Sequence, residues 1–489
     1  MKLFDDQHKF TEELAPALKR HHSIIACAAT GYGKTVVFVN IVERAIQKGR
    51  TVLVLTESKK IFNQIDERIP GTILINPKAT DGMLMEKHLY IAMAQTLANR
   101  ETFIKCFQAF GAELLIVIDE AHIGTFNTLL EALPLAQKLG FTATPDARWA
   151  KHLPVFYKSI VIGPQPHELV QMGRLSPYKH FARVSANLDL LKLHKGEFTE
   201  ESQEQVFGTA KVFDGLKEDL LRLPYKKCLI FTASIKDCMS VYAQLKEGGF
   251  ECTAVHSQMS EKDFKFNLNE FTHGEINICI SVGTLTKGFD CPAIDLIVLR
   301  RKTTSLPLFL QMIGRGSRWM KGKDFFTVLD YGQNYLSHGL WDMERDWKSL
   351  WNRPKKARDG IAAIKICPIC ERIVAVSSSC CSECGYEFVK KDIPLEVGKL
   401  IEVTELYSKM IGKRVSTLTP EELAIYAKLK GKKNFAARIA HARERDGPEG
   451  NKFLSEYGKA MGYKSSWADF LRNSKSEHEK ISYPDFELK

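Results

Sequence analysis

The sequence lacks long apolar runs, a secretory leader and internal repeats. Its apolar runs are short, as in 114–118 (LLIVI), far below the roughly 20 residues that a helix needs to cross a bilayer. The amino terminus, MKLFDDQHKF, turns acidic at once and has no apolar segment, which argues against a secretory signal. No internal repeat of 20–50 residues is visible apart from a duplicated α/β pattern. We therefore expect an intracellular protein that has no membrane partner.

No composition bias of the disordered or fibrous kind is present either. The 489 residues are 44% hydrophobic and 26% charged, which is ordinary for globular proteins and too much chain for one core. The formal net charge is +11, and residues 300–358 hold 13 Lys and Arg against 5 Asp and Glu. Such a basic block favours a polyanionic partner, bound through counterion release. The alternative is a solvated basic surface that maintains solubility.

The apolar pattern divides the chain into two similar halves. Short β-rich runs alternate with segments of helical period in both halves, which predicts parallel sheets covered by helices. We expect a first sheet domain over 1–150, a proline-containing linker and joint over 151–205, and a second sheet domain over 206–350. A small cysteine-rich module over 360–390 and a helical accessory domain over 391–489 follow.

A phosphate-binding loop is predicted where the first strand passes into a helix, at 28–35 (AATGYGKT). Gly31 and Gly33 allow the backbone to wrap a phosphate, and the helix N-terminus adds partial positive charge. Lys34 is suited to neutralise β- and γ-phosphates, and the Thr35 hydroxyl to bind Mg²⁺. Ala28 departs from the usual pattern, which has glycine there.

Two adjacent acids end the strand LLIVIDE, at 114–120. The carboxyl edge of a parallel sheet is where ligands bind. Asp119 is suited to hold Mg²⁺, and Glu120 to orient and deprotonate an attacking water. Burying such a pair without a cation is costly, and the alternative is an exposed strand end.

These segments, in this order, resemble the motifs of superfamily 2 helicases. AATGYGKT, DEAH (119–122) and TATP (142–145) are similar to motifs I, II and III. The other segments resemble motif Ia at 56–64, a further strand-contacting motif at 94–97, motif IV at 229–238, motif V at 281–292 and motif VI at 311–318. The resemblance covers about residues 1–345. The resemblance is strongest to the DNA-repair and restriction-motor branch and to helicases that bacteriophages encode. It implies a cytoplasmic location, which for a phage protein is the cytoplasm of the host.

The resemblance implies an α/β fold with two tandem RecA-like domains, and it implies roles for particular residues. Arg315 and Arg318, three apart on an expected helix, would reach a γ-phosphate held by the first domain; the alternative is contact with a phosphate backbone. Glu120, Lys34, Arg315 and Arg318 are the implied catalytic residues. The implied nucleotide-binding residues are Gln7, Thr30, Gly31, Gly33, Lys34, Thr35, Asp119, Gly288 and Asp290, and the implied coupling residues are His122, Thr142, Thr144 and Gln311.

The cysteines are unevenly placed. Seven of the 12 are scattered, as expected of reduced core residues, and five lie between Cys367 and Cys384. Cys367 and Cys370 form one CxxC pair and Cys381 and Cys384 a second, ten residues on, which predicts a structural Zn²⁺ ribbon. Cys380 falls outside that spacing. The alternative is a reduced cluster without metal.

Four tryptophans, Trp319, Trp341, Trp347 and Trp351, lie within the basic block. The helical spacing of Trp347 and Trp351 favours packing between domains over stacking on bases. Taken together, the motifs and the family resemblance predict an ATP- and Mg²⁺-dependent DNA helicase or translocase, acting as a monomer on single-stranded, forked or branched DNA. The alternatives are a branch-migrating or strand-annealing translocase, an ATP-gated nucleic-acid clamp, and an RNA helicase.

Cys384→Ser is expected to abolish stoichiometric zinc binding, because a CxxC pair that loses one thiolate cannot close a tetrahedral site. Cys380→Ser is the matched control and should retain the metal. Elemental analysis of the purified proteins, never exposed to chelator, measures both. Loss of zinc in Cys380→Ser alone would overturn the ligand set.

Overall fold

The computed structural model describes residues 3–57, 71–76, 88–147, 150–183, 190–283 and 289–352. It also describes single positions between these ranges and shorter segments between 364 and 469. Gly288 and the four predicted zinc ligands lie outside the described residues.

The first half of the chain forms a seven-stranded sheet of order β3-β4-β2-β5-β6-β1-β7, with every neighbouring pair parallel. Its strands are β1 (Ser23–Cys27), β2 (Thr51–Thr56), β3 (Ile73–Ile75), β4 (Leu89–Met93), β5 (Leu114–Ile118), β6 (Gln137–Thr142) and β7 (Ser159–Ile162). Every residue of β1, β2 and β5 is buried, which explains why these strands appear as unbroken apolar runs.

Helices accompany this sheet. They are α1 (Asp5–His21), α2 (Lys34–Gln47), α3 (Ala94–Ala98), α4 (Glu101–Ala109), α5 (Asn127–Ala132) and α6 (Leu153–Phe156). Their apolar side chains, among them Phe10, Phe38 and Phe107, pack with the strands into one core.

The second half forms another seven-stranded sheet, of order β12-β13-β11-β14-β15-β8-β18. Its strands are β8 (Tyr178–Arg183), β11 (Lys227–Thr232), β12 (Cys252–Val255), β13 (Ile278–Ser281), β14 (Ile294–Arg300), β15 (Phe326–Asp330) and β18 (Leu400–Glu402). All pairs are parallel except β18, which lies antiparallel to β8. The hairpin of β9 (Leu193–His194) and β10 (Glu197–Phe198) and that of β16 (Ile364–Ile366) and β17 (Ile373–Ala375) are separate.

The remaining helices follow the same alternation and then dominate the described C-terminal segments. They are α7 (Pro166–Gln171), α8 (Glu200–Phe207), α9 (Ala210–Arg222), α10 (Ile235–Glu247), α11 (Glu261–His273), α12 (Leu306–Ile313), α13 (Tyr335–His338), α14 (Trp347–Trp351), α15 (Val403–Met410), α16 (Pro420–Lys430) and α17 (Phe453–Met461). Helices α16 and α17 share an apolar cluster of their own around Leu423, Leu454 and Tyr457. The architecture is thus α/β with two parallel-sheet domains of the RecA-like kind, followed by helices.

The segment expected to be a linker, 151–205, contributes a strand to each sheet: β7 completes the first and β8 enters the second. A strand from the segment expected to be helical, β18, completes the second sheet at its edge. The positions of β7, β8 and β18 in the two sheets depend on pairing with residues far away in the sequence, which local sequence patterns do not predict.

Trp341, Trp347 and Trp351 are buried, with 1%, 4% and 7% of their surface exposed, so the packing interpretation of these residues is confirmed. Trp319 differs, since it is 59% exposed. Within the described part of the chain, no helix has both the length and the apolar character that a bilayer crossing requires.

Asp219→Ala is expected to destabilise the second sheet domain by about 3–5 kcal/mol, because it leaves a buried guanidinium without its carboxylate. Asp219 accepts hydrogen bonds from Arg183 Nε at 2.8 Å, Arg183 Nη2 at 2.6 Å and the Tyr331 hydroxyl at 2.7 Å. Thermal and denaturant unfolding measure the change.

Glu218→Ala is the control, since it removes a mostly exposed carboxylate 3.2 Å from the same Arg183 and should cost less than about 1 kcal/mol. Equal losses in the two variants would contradict the assignment of the stability to the buried pair.

Candidate active site between the two sheets

The loop between β1 and α2 has the geometry of a phosphate cradle. Gly31 and Gly33 adopt φ of 93° and 89°, in the left-handed region that favours glycine. Gly33 is the N-cap of α2, so the first amides of the helix face the loop. The Lys34 ammonium lies 3.5 Å from the Ala28 carbonyl oxygen, at the end of the strand. A loop of this kind binds an anion through its amides and its lysine.

Helix α1 reaches the same loop through Gln7. The Gln7 side chain is buried, and its Nε2 donates to the Tyr32 carbonyl oxygen at 2.8 Å. A Cβ at Gly33 would lie 2.8 Å from that Nε2. The structure therefore brings Gln7 into contact with the phosphate-binding loop.

The acidic pair lies directly after β5, at the carboxyl edge of the first sheet. The Asp119 amide donates to the Leu55 carbonyl at 3.0 Å, which places the carboxyl at the strand end, where it is 6% exposed. Burial, together with the charge of Glu120, raises the pKa of Asp119 to about 7, and Lys34 opposes the rise. A carboxylate this poorly solvated is stabilised by a cation.

Glu120 adopts a left-handed backbone conformation with φ of 51°, which is uncommon for a residue other than glycine. Its Oε2 lies 3.3 Å from His122 Nδ1, and the same ring nitrogen lies 2.9 Å from the Thr142 hydroxyl at the end of β6. The Thr144 amide donates to that hydroxyl at 3.1 Å. These contacts link Glu120 to the end of β6.

The loop after α12 meets the phosphate-binding loop from the second sheet. A Cβ at Gly314 would lie 2.9 Å from Thr30 Cγ2, so the main chain at Gly314 packs directly against the Thr30 side chain. A Cβ at Gly31 would lie 3.2 Å from Arg318 Nη1. The two sheets are therefore in contact at the site.

The helical placement of Arg315 and Arg318 was wrong. Helix α12 ends at Ile313, Arg315 lies in the turn that follows, and Arg318 lies beyond that turn. Glycine at 314 and 316 disfavours a further helical turn, and the close packing on Thr30 fixes where the chain leaves the helix. Gln311 is buried within α12 itself.

Both arginines contact the neighbouring residues Phe289 and Asp290. Arg315 is buried and its Nη1 donates to the Phe289 carbonyl. Burial and the neighbouring Arg318 lower the pKa of Arg315 to about 10, while Glu120 and Asp290 oppose the shift. Arg318 Nε lies 3.4 Å from Asp290 Oδ1. The site thus has carboxylates from the first sheet domain and guanidinium groups from the second.

Sequence patterns did not identify the residues of the joint that also line the site. Leu175 pairs with Arg318 in an isolated antiparallel bridge, and its Cδ2 is 2.6 Å from a Cβ position at Gly31. Arg174 Nη1 lies 2.8 Å from Asp6 Oδ1, and its guanidinium lies 3.4 Å from the centre of the Phe4 ring.

The oxygen donors at the site suit Mg²⁺, which prefers carboxylate, hydroxyl and phosphate oxygen. Thr35 is the second residue of α2, and the Asp119 carboxyl is buried, with its pKa raised by that burial and by the charge of Glu120. In the described ranges, no group of three or more His, Cys, Asp or Glu side chains is placed to hold a metal ion by itself.

Two family comparisons match the two sheet domains. Residues 1–147 match the family described as "Type III restriction enzyme, res subunit", and residues 211–320 match the "Helicase conserved C-terminal domain". The chain is an enzyme of the ATP-dependent helicase family, within superfamily 2.

Individual relatives agree with this class. The chain is 26% identical to the "51.5 kDa protein" of Lactococcus phage (isolate 7-9), over 73% of this chain and 76% of the relative. It is 24% identical to the "Type I restriction enzyme EcoAI endonuclease subunit" of Escherichia coli, over 63% of this chain and 43% of that subunit. A fragment described as an HsdR subunit of a type I restriction enzyme from Vibrio vulnificus YJ016 shares the fold, with a TM-score of 0.55 at 21% identity, over 67% of this chain and 64% of the fragment. The chain thus spans less than two thirds of the last two proteins.

Asp119→Asn is expected to stabilise the nucleotide-free protein by about 2 kcal/mol at pH 8, since it removes a buried charge. Because the pKa of Asp119 is raised on folding, its ionised form costs stability as the pH rises through about 7. The gain should therefore shrink as the pH falls from 7 toward 4.

Melting temperatures of the two proteins at pH 5 and pH 8, without nucleotide or magnesium, measure this effect. Asp324→Asn, at an exposed position in the turn before β15, is the control. A melting temperature at pH 8 below that of the wild type would contradict the expectation.

Proposed function

We propose that the protein hydrolyses ATP with Mg²⁺ to translocate along DNA and to unwind or remodel it. The observation that carries the proposal is the meeting of Gly314 and Arg318 with Thr30 and Gly31. It supports an ATP site shared between two domains, so that binding and hydrolysis change the contact between them.

Lys34 and the amides of the phosphate-binding loop would bind the β- and γ-phosphates. Thr35 and Asp119 would hold Mg²⁺, which neutralises charge on the phosphates. Glu120 would orient and deprotonate the attacking water, with His122 fixing its carboxylate at 3.3 Å. Gln7, buried against the Tyr32 carbonyl, would bind the nucleotide base beside the loop.

Arg315 and Arg318 would stabilise the charge of phosphoryl transfer, as arginine fingers do. Asp290 pairs with Arg318, so a change at the phosphate would alter the position of motif V, to which Gly288 also belongs. His122, Thr142 and Thr144 would transmit the change through the first domain, and Gln311 through α12. Movement on the nucleic acid follows from this alternation of open and closed states.

DNA is the proposed substrate because restriction enzymes that act on DNA are among the relatives. Proteins named as ATP-dependent RNA helicases also match, which keeps RNA as a second candidate. Not all of the positive charge in residues 300–358 is free to bind a polyanion, because some of the basic side chains bind within the protein. Arg345, Lys302 and Lys323 donate to main-chain carbonyls within the protein.

The proposal extends to a cytoplasmic monomer that carries one structural Zn²⁺ on Cys367, Cys370, Cys381 and Cys384. The phage relative supports expression in a host cytoplasm. A module of about 25 residues cannot build its own core, so the ribbon would depend on the metal to fold.

Lys34→Ala is expected to abolish ATP binding, whereas Glu120→Gln should bind ATP normally and lose turnover by about a hundredfold. Lys34 contacts phosphate in the ground state, and Glu120 acts only on the attacking water. Fluorescent-nucleotide binding and phosphate release in the presence of single-stranded DNA measure the two effects. Glu131→Gln, exposed on α5, is the control. Wild-type turnover in Glu120→Gln would overturn the assignment.

A substrate panel then separates the candidate functions. Wild-type ATPase, strand separation and annealing are compared on single strands, forked duplex, four-way junction and RNA. Strand separation on forked DNA supports the helicase, and annealing or branch migration alone supports the first alternative. If RNA stimulates ATP hydrolysis more than DNA does, RNA would replace DNA as the proposed substrate. Hydrolysis without movement along the strand would indicate a clamp.

A further inference from the structure

Lys323 lies in the turn between α12 and β15, and its ammonium is enclosed by main-chain oxygens. Its Nζ is 2.5 Å from the carbonyl oxygens of Ile294 and Gly316, 3.0 Å from that of Arg318 and 3.1 Å from that of Pro292. An ammonium has three donors, so these four acceptors saturate it. Lys323 is therefore not available to bind a phosphate backbone.

The four carbonyls belong to two segments that also carry the site. Ile294 and Pro292 end the stretch that begins at Phe289, to whose carbonyl Arg315 donates. Gly316 and Arg318 belong to the loop 314–318, from which Arg318 reaches Asp290. Arg315 and Arg318 join the two segments through their guanidinium groups, and Lys323 joins the same two segments through its ammonium.

We propose that Lys323 is a positioning residue for ATP hydrolysis, which holds the loop 314–318 against 289–294 so that both arginines face the phosphate-binding loop. The inference rests on the proposed ATPase function. Charge-assisted hydrogen bonds to the four carbonyls hold in place residues that, apart from Ile294 at the start of β14, lie outside the helices and strands. Without these hydrogen bonds, Arg318 would have to be ordered at each turnover, and the entropy lost in ordering it would raise the activation free energy.

The environment of the ammonium makes its charge sensitive to pH. Burial lowers the pKa of Lys323 to about 8, against the opposing effects of Asp295 and Cys291, and Arg318 adds to the lowering. The full set of donors is thus present below about pH 8 and is lost as the pH rises through it. A neutral amine retains only two N–H donors.

The first test compares Lys323→Met with Lys226→Met in steady-state ATPase, with saturating single-stranded DNA. Lys226 is exposed and donates at 3.2 Å to Gly322 in the same turn, without touching either segment of the site. Lys323→Met is expected to lower kcat about tenfold with KM for ATP within about twofold, since the arginines act in the transition state. Lys226→Met should match the wild type.

The second test uses Lys323→Arg, whose guanidinium stays charged at all relevant pH values. Between pH 7 and pH 9, kcat of the wild type should fall more than kcat of Lys323→Arg. This comparison decides the matter if Lys323→Met does not fold. Superimposable pH profiles, or a folded Lys323→Met whose kcat is within twofold of the wild type, would overturn the proposal. A wild type that hydrolyses no ATP on any nucleic acid would instead overturn the proposed function.

Discussion

The structure depends on one contact, the packing of Gly314 against Thr30. Because glycine at 314 leaves room for the Thr30 side chain, the loop after α12 comes close enough to the phosphate-binding loop for Arg318 to lie beside Gly31. The apolar core is continuous across this contact: Leu175 and Leu310 belong to the same buried cluster as Ile25 and Val37. The site is therefore part of the interface that holds the two halves together, so a change in either half alters the other.

The charges at the site are arranged as two like-charged pairs facing each other. Asp119 and Glu120 repel each other, as the raised pKa of Asp119 records, and Arg315 and Arg318 do the same from the opposite side. Each pair is costly to bury alone. In the proposed function, a magnesium ion would offset the charge of the first pair and a triphosphate the charge of the second. Ligand binding should accordingly tighten the contact between the sheets.

Much of the site could be predicted from the sequence because its motifs are local. Strand-to-helix and strand-to-turn transitions placed Lys34 and Asp119 at one sheet edge, and the fold class followed from the same pattern. What depends on distant pairing could not be predicted. The roles of Leu175 and Arg174 arise from contacts with residues more than 100 positions away, and β8 and β18 take their places only through register. The internal use of Lys323 was likewise hidden, since a sequence shows that a side chain is charged and not where it points.

The position of β18 has a consequence for self-association. β18 is a three-residue strand that covers the outer edge of β8, and it comes from a segment more than 200 residues further along the chain. A parallel strand left with a free edge offers unpaired amides and carbonyls to any neighbouring chain. Until residue 402 has been synthesised, β8 has no partner on that side. The nascent protein is thus most exposed to pairing with other copies late in translation, and a chain shortened before residue 400 would keep that edge permanently open.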